Sequence, residues 1–342
     1  VLKSRRRGGA ENAEVSMDGD GEVGMGGRRR GYEDRDLGAV CELLNLCSER
    51  DGLDEFYSVE QLGQRFGMPT LDRFNDQCVW EDMEGRLVGF AQVWSFPSSE
   101  GRVDSYFYFR VHPDVRGTGV EDEMIGWAGR RIREVGQQHG LRGVLMGRVF
   151  EHEGYARGIF ERHGFRIVRY GFRMARALSE PVPEPVFPEG YTVRYAEGEE
   201  DIERWVDCYN QSFIDHWGFH AETVEERRQR LRRPGYLPEQ DLVAVAWDGS
   251  FAAFCLWYAD EVGNAMHGRR EGHIGLLGTR RGHRGIGLGR AMLLTGLQRL
   301  RDAGMERANL GVDAENPTGA LGLYERVGFE KVATRISYHK DV

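Results

Sequence analysis

Lysine is almost missing from this 342-residue chain: only Lys3, Lys331 and Lys340 occur, and arginine supplies the rest of its 46 basic residues. With a formal net charge of −9, the basic balance that a nucleic-acid footprint needs is missing, so no nucleic-acid partner is expected. A slightly acidic surface suits cationic, amine-bearing molecules instead. No apolar run approaches the ~20 residues of a membrane span. The opening stretch, Val1 to Gly9, lacks the apolar core of a signal peptide. A cytoplasmic protein without a membrane partner is the expectation. Cysteine is sparse as well: five residues, at 41, 47, 78, 208 and 255, with no C-x-x-C pair. An odd count in that pattern argues against a disulfide framework and a zinc site. Cys255, inside the apolar run Phe251–Tyr258, is expected to be a small buried hydrophobe.

What is present points to two folded units. The length suits two domains, and 40 % hydrophobic content supplies their cores. Residues 1–27 are glycine- and charge-rich and are expected to be disordered. Alternating helix and strand patterns then fill 28–176. Residues 177–190 carry four of the chain's ten prolines and form an expected semi-rigid linker. From Tyr191 the pattern starts again. Gly85 and Gly249 stand 164 residues apart, as do Gly164-Phe165 and Gly328-Phe329, while Arg116 and Arg284 are separated by 168. Two copies of one β/α unit, 28–176 and 191–342, account for this spacing. The fold class is therefore α/β in the α+β sense, each copy a mixed, largely antiparallel sheet flanked by helices.

The chemistry concentrates at Thr279–Met292, Thr-Arg-Arg-Gly-His-Arg-Gly-Ile-Gly-Leu-Gly-Arg-Ala-Met. An apolar strand, Ile274–Leu277, leads in, and Ile286, Leu293, Leu297 and Leu300 share a helical face beyond it. Glycines at a strand-to-helix junction expose backbone N–H groups at the positive end of a helix dipole, an anion site. Gly287 and Gly289 let a phosphate approach those amides. The spacing is not G-x-G-x-x-G, because Met292 takes the last place, and no Gly-Lys-Ser/Thr follows for a P-loop. The same residues also fit a glycine-rich turn that opens an ordinary helix.

Arg284-x-x-Gly287-x-Gly289 resembles the Arg/Gln-x-x-Gly-x-Gly/Ala motif of the GNAT superfamily of acyl-CoA-dependent N-acyltransferases. The repeat makes the chain look like a tandem member, and the segment Asn210–His220 resembles that of mycothiol-synthase-type tandem members. The resemblance covers most of 28–342 and implies acetyl-CoA as cosubstrate and a small-molecule or protein amine as acceptor. It implies a pyrophosphate held by Arg284, Gly285, Ile286, Gly287, Leu288, Gly289 and Arg290. It also implies a pantetheine arm along Leu276, Leu277, Gly278 and Thr279, with Asn316 alongside. A backbone N–H near Leu277 or Gly278 would polarise the thioester, and Tyr324 would protonate the leaving thiolate. Where relatives place a basic Glu this chain has His273, with Glu271 two residues earlier on the same side of the strand. The amine pocket would draw on Asp215, Trp217 and Phe219.

Each assignment has a plainer counterpart. Tyr324 shares a helical face with Ala320, Leu323 and Val327, where an aromatic packs as core. His273 fits an edge-strand residue facing solvent, and Asn316-Pro317 fits a helix N-cap followed by Pro at N1. His216 and His220 have metal-ligand spacing but no third ligand, so no metal is expected. Comparing the copies sharpens the functional side. In the first, Glu121 stands where Gly289 does, and Phe160 stands where Tyr324 does. A carboxylate repels phosphate and Phe carries no proton, so the first copy is expected to be catalytically silent. The leading expectation is an N-acetyltransferase working in its second copy. The alternatives are a non-catalytic acyl-CoA sensor or scaffold and a nucleotide-binding regulator. The sequence sets no oligomeric state.

Overall fold

The computed structural model describes residues 22–23, 27–68, 71–98, 101–232, 236–259 and 261–342. The expected disordered tail lies outside these residues, apart from Glu22–Val23 and Gly27, which pair as strands. The first half runs β1 (Glu22–Val23), β2 (Gly27–Gly31), α1 (Leu37–Asp51), α2 (Val59–Phe66), β3 (Gln77–Glu81) and β4 (Leu87–Pro97). It continues through β5 (Arg102–Val111), α3 (Val120–His139), β6 (Arg142–Phe150), α4 (Gly154–Arg162) and β7 (Arg166–Ala177). The second half begins with β8 (Thr192–Tyr195), α5 (Ile202–Phe213), α6 (Val224–Leu231), β9 (Asp241–Val245) and β10 (Phe251–Ala259). It closes with α7 (Glu261–His267), β11 (Glu271–Thr279), α8 (Leu288–Asp302), β12 (Arg307–Asp313), α9 (Ala320–Arg326) and β13 (Glu330–Asp341).

Local chemistry sets the matching elements of the two halves. Ser58 and Gln61 form a capping box at the start of α2, and Thr223 and Glu226 form the equivalent one at α6. The hairpins β3–β4 and β9–β10 turn at Gly85 and Gly249, both with positive φ.

All strands join one sheet in the order β1-β2-β3-β4-β5-β6-β13-β7-β12-β11-β10-β9-β8. From the central β13–β7 pair outward, each side repeats the same series, so the halves are related by a pseudo-twofold axis. The last strands are exchanged across it. β13 ends the second half yet pairs with β6, and β7 ends the first half yet pairs with β12. The exchange carries side chains with it. Ile336 and Tyr338 are buried in the first-half core beside Phe160 and Phe165, and the Tyr338 hydroxyl donates to Glu161 at 3.0 Å. Met174 is buried in the second-half core with Leu178 and Val182 of the proline-rich segment. Each large apolar side chain buried this way contributes roughly 1.5–3 kcal/mol, so each core is incomplete without the other half's strand. The stretch after Ala177 is thus packed against the second core, and the sheet itself continues through the junction.

In each half a parallel pair opens like a wedge. β11 pairs with β12 only over Glu271–Ile274 and Arg307–Leu310, and both strands run on without pairing to each other. β5 and β6 do the same beyond Tyr106 and Met146. One difference separates the wedges. Opposite β10, strand β11 slips register between Ile274 and Leu276, leaving Gly275 as a bulge residue, whereas β5 pairs with β4 without a break. A Cβ on Gly275 would sit 2.7 Å from the Tyr258 ring, so the bulge accepts only glycine without a shift.

Candidate functional site

The second wedge encloses a cleft of about 500 Å³, within the range of small-molecule sites. One wall is the open edge of β11, with Leu276, Leu277, Gly278 and Thr279. Its end is the glycine loop, with Arg284, Gly285, Gly287, Gly289 and Arg290, and the far wall carries Asn316 and Tyr324. Gly285 and Gly287 have φ of 79° and 89°, a left-handed backbone that turns the strand into α8. Gly289 lies inside α8, where a Cβ would sit 3.0 Å from Thr279 Oγ1. Leu288 is buried in the core beneath the loop, and Ile286 is exposed on it.

Arg284 acts as a strut. Its Nε donates to the Thr279 carbonyl at 3.0 Å, and its Nη2 donates to the Ser212 carbonyl at 2.8 Å, tying β11 to the end of α5. Arg290, in the first turn of α8, has no ion-pair partner among the described residues and lines the cleft. Tyr324 is buried, and burial beside Cys255 pushes its phenol up to about 12. The phenol therefore keeps its proton at neutral pH.

The remaining residues selected from sequence sit elsewhere. Asp215 is ion-paired with Arg281 and, at 3.3 Å, with Arg284. Those bonds, Arg281 first, hold its carboxyl below the usual carboxylate range. It serves the loop's arginines and does not line the cleft. Trp217 stacks on His339 at 5.4 Å, outside the cleft lining, and Phe219 is half-buried near it. His273 stacks on Tyr258 at 5.1 Å and pairs in register with Asn309, ahead of the bulge. Asn316 does not cap α9. The helix starts at Ala320 behind Gly319, and the Asn316 side-chain Oδ1 instead accepts from Thr318 N–H at 2.8 Å. A closer local partner two residues on captured the side chain. Two further residues line the cleft: Arg326, which the sequence did not single out, and His216, considered there only for metal-ligand spacing. Burial, then Arg284, holds the His216 imidazole below its ordinary value. No motif marks Arg326, whereas His216 lies within Asn210–His220, the segment that carries the resemblance to tandem members. Among the described residues no group of three His, Cys, Asp or Glu is placed to hold a metal.

The first wedge keeps the loop but fills the site. Gly117 and Gly119 have φ of 77° and 104°, matching Gly285 and Gly287. Glu121 is buried and folds back so that its carboxylate accepts from Gly117 N–H at 2.7 Å and from the Tyr155 hydroxyl at 2.6 Å. A loop amide is thus satisfied by an anion of the chain's own. Arg116 forms a bidentate pair with Asp51 at 2.7 and 2.8 Å and lies over the Tyr155 ring. Phe160 packs against Phe107, Phe109, Phe165 and Tyr338. The cavity left is about 240 Å³. Where α8 begins Leu-Gly-Arg, α3 begins Val-Glu-Asp-Glu, an acidic turn that opposes an incoming anion.

Known proteins resemble this chain in sequence and in fold. The profile of the Acetyltransferase (GNAT) family matches residues 201–329. A protein named mycothiol acetyltransferase from Thermomonospora curvata is 32 % identical over 248 residues, 70 % of this chain and 79 % of its own. One of the same name from Thermobispora bispora is 29 % identical over 313 residues, covering 89 % of this chain and 96 % of its own. Among solved structures, a GCN5-related N-acetyltransferase from Sphaerobacter thermophilus superposes with a TM-score of 0.68 at 25 % identity, covering 92 % of this chain and 95 % of that one.

Proposed function

This chain belongs to the GNAT family of acetyltransferases, and we propose that it moves an acetyl group from acetyl-CoA to a primary amine in its second cleft alone. The enzyme is an acyl-CoA-dependent N-acetyltransferase. The assignment to the second cleft rests on one contrast. The two glycine loops share a backbone, but Glu121 occupies the first while the second opens into the larger cleft. A bound acetyl-CoA would supply the activated thioester. The chain's own part is to hold and polarise it.

In this reading the N–H groups from Gly285 to Arg290 receive the pyrophosphate, with the Arg290 guanidinium as the side-chain cation. The β11 edge from Leu276 to Thr279 hydrogen-bonds the pantetheine as a neighbouring strand would, next to Asn316. A β11 amide near Leu277 or Gly278 faces the thioester oxygen, a contribution of ~10²–10³ in rate for one such donor. Tyr324 returns a proton to the leaving thiolate. His273, ahead of the Gly275 bulge, takes the ammonium proton through water.

Asp215, engaged by arginines, supports the loop in place of the amine. The relatives' name makes a mycothiol-type molecule one candidate acceptor. Among the described residues no helix is long and apolar enough to cross a membrane. Five free, buried cysteines fit a reducing compartment, and the cytoplasm is the location we propose. The test is thiol release from acetyl-CoA across a panel of primary amines. Amine-dependent release supports transfer, whereas tight acetyl-CoA binding with no release on any amine would favour a sensor or scaffold.

A further inference from the structure

The exchanged strands bring a row of arginines to the junction of the halves, on the sheet face opposite α3 and α8. Two of them are neutralised. Arg173 meets Asp54 at 2.6 Å, and Arg169 meets Asp313 at 3.0 Å and Glu315 at 2.9 Å. Two are not. Among the described residues no carboxylate lies within 4.0 Å of the Arg148 or Arg335 guanidinium. Arg148 hydrogen-bonds the Tyr106 hydroxyl and lies 4.3 Å over that ring. The acid that acts on Arg335 is Glu55, itself 3.4 Å from Arg110. Burial first, then the neighbouring Arg148, lowers Arg335 from the ordinary arginine value. A partly buried cation beside a second cation is unfavourable unless an anion joins them.

The pseudo-twofold axis shows how this place differs from its counterpart. Arg148 pairs with Ser337 as Gly311 pairs with Arg173, and Arg335 pairs with Phe150 as Gly171 pairs with Asp313. The mates of the two unpaired arginines are therefore glycines. Gly311 lines the second cleft, and an Arg335 nitrogen would lie 3.2 Å from a Cβ placed on it. The absence of a side chain at Gly311 leaves room for the guanidinium beside this cleft-lining residue. Trp217, stacked on His339, and His220, packed on Phe96 at 3.9 Å, stand at the same junction.

We propose that Arg335, together with Arg148, binds an anionic group of the acceptor, so that the substrate is an amine that also carries a carboxylate or a phosphate. The guanidiniums hold that group at the junction while the amine reaches the thioester beside Gly311. This inference rests on the acetyl-transfer reading and narrows its substrate class.

The test measures thiol release with matched acceptors: L-alanine against L-alaninamide, and O-phosphoethanolamine against ethanolamine. Wild-type protein, Arg335→Met, Arg335→Lys and Arg148→Met are compared. The expected result is a preference of about tenfold or more in kcat/KM for the anionic member of a pair. Arg335→Met erases that preference through KM, Arg335→Lys restores part of it, and acetyl-CoA affinity stays unchanged in all variants. The pair showing the preference tells carboxylate from phosphate. Equal use of charged and neutral members by the wild type, or a preference that survives Arg335→Met, overturns the proposal. Should no amine be acetylated, the transfer reading is what fails, and titrating CoA-saturated protein with inorganic phosphate decides the anion site separately. Saturable binding lost in Arg335→Met upholds the site, and binding absent or unchanged rejects it.

Discussion

Replacing Tyr324 by Phe takes one oxygen from the second cleft and leaves the ring. The chain already contains the outcome of that change, because Phe160 fills the equivalent place in the first half with aromatic contacts on several sides. No protein hydrogen bond to the Tyr324 hydroxyl occurs among the described residues, so its loss strands no partner, and stability should change by less than about 1 kcal/mol. The rate should change far more. A positioned general acid contributes ~10²–10⁴, and a factor of 10² corresponds to ~2.7 kcal/mol of barrier. With its phenol pushed up to about 12, Tyr324 remains protonated across the working pH range. Its removal should therefore lower kcat by about 10² or more at every pH below 10 without reshaping the profile. KM for acetyl-CoA should stay within about threefold, since ground-state binding loses nothing. Steady-state thiol release checks all three statements. A kcat within threefold of the wild type, or a rate loss matched by weaker acetyl-CoA binding, would refute the role.

Other expectations concern the scaffold. Glu121→Ala strands the Gly117 amide and the Tyr155 hydroxyl and should destabilise the protein by roughly 2–4 kcal/mol, read as a Tm lower by several degrees, while turnover stays within twofold. Ile336→Ala, late in the sequence, should cost about 2–4 kcal/mol in the first-half core. Because the strands are exchanged, calorimetry should still show one unfolding transition; two separate transitions would contradict the shared core. Asp215→Asn frees Arg281, leaves Arg284 held only by the Thr279 and Ser212 carbonyls, and should raise KM for acetyl-CoA severalfold, whereas a selective rise in acceptor KM would return Asp215 to the amine.

Most elements and the glycine loop were legible because their signals are local. The strand over Ile274–Leu277 and the helix carrying Leu293, Leu297 and Leu300 follow from periodicity, and the loop follows from glycines at a strand-to-helix junction. The strand exchange was not legible. β7 and β13 are both extended segments following Gly-Phe, and nothing in either favours β6 over β12 as its neighbour. That choice is made by tertiary packing of Tyr338 and Met174. The short α7 was missed because Glu-Val-Gly-Asn-Ala-Met-His contains a glycine and offers little apolar periodicity. The bulge at Gly275 was hidden in the four-residue difference between the copies' spacings. Arg284 follows from the motif spacing and Asp215 from the resemblance, and neither reveals that each is engaged by the chain itself. Arg335 was invisible for a related reason, since its place beside Gly311 depends on which half its strand joins.

The central claim is that one of two similar clefts binds acetyl-CoA, and calorimetric titration tests it most directly. The account predicts one site per chain, abolished by Gly289→Glu, which puts the first half's carboxylate into the second loop against Thr279. Two sites in the wild type, or one site that survives Gly289→Glu, would contradict it.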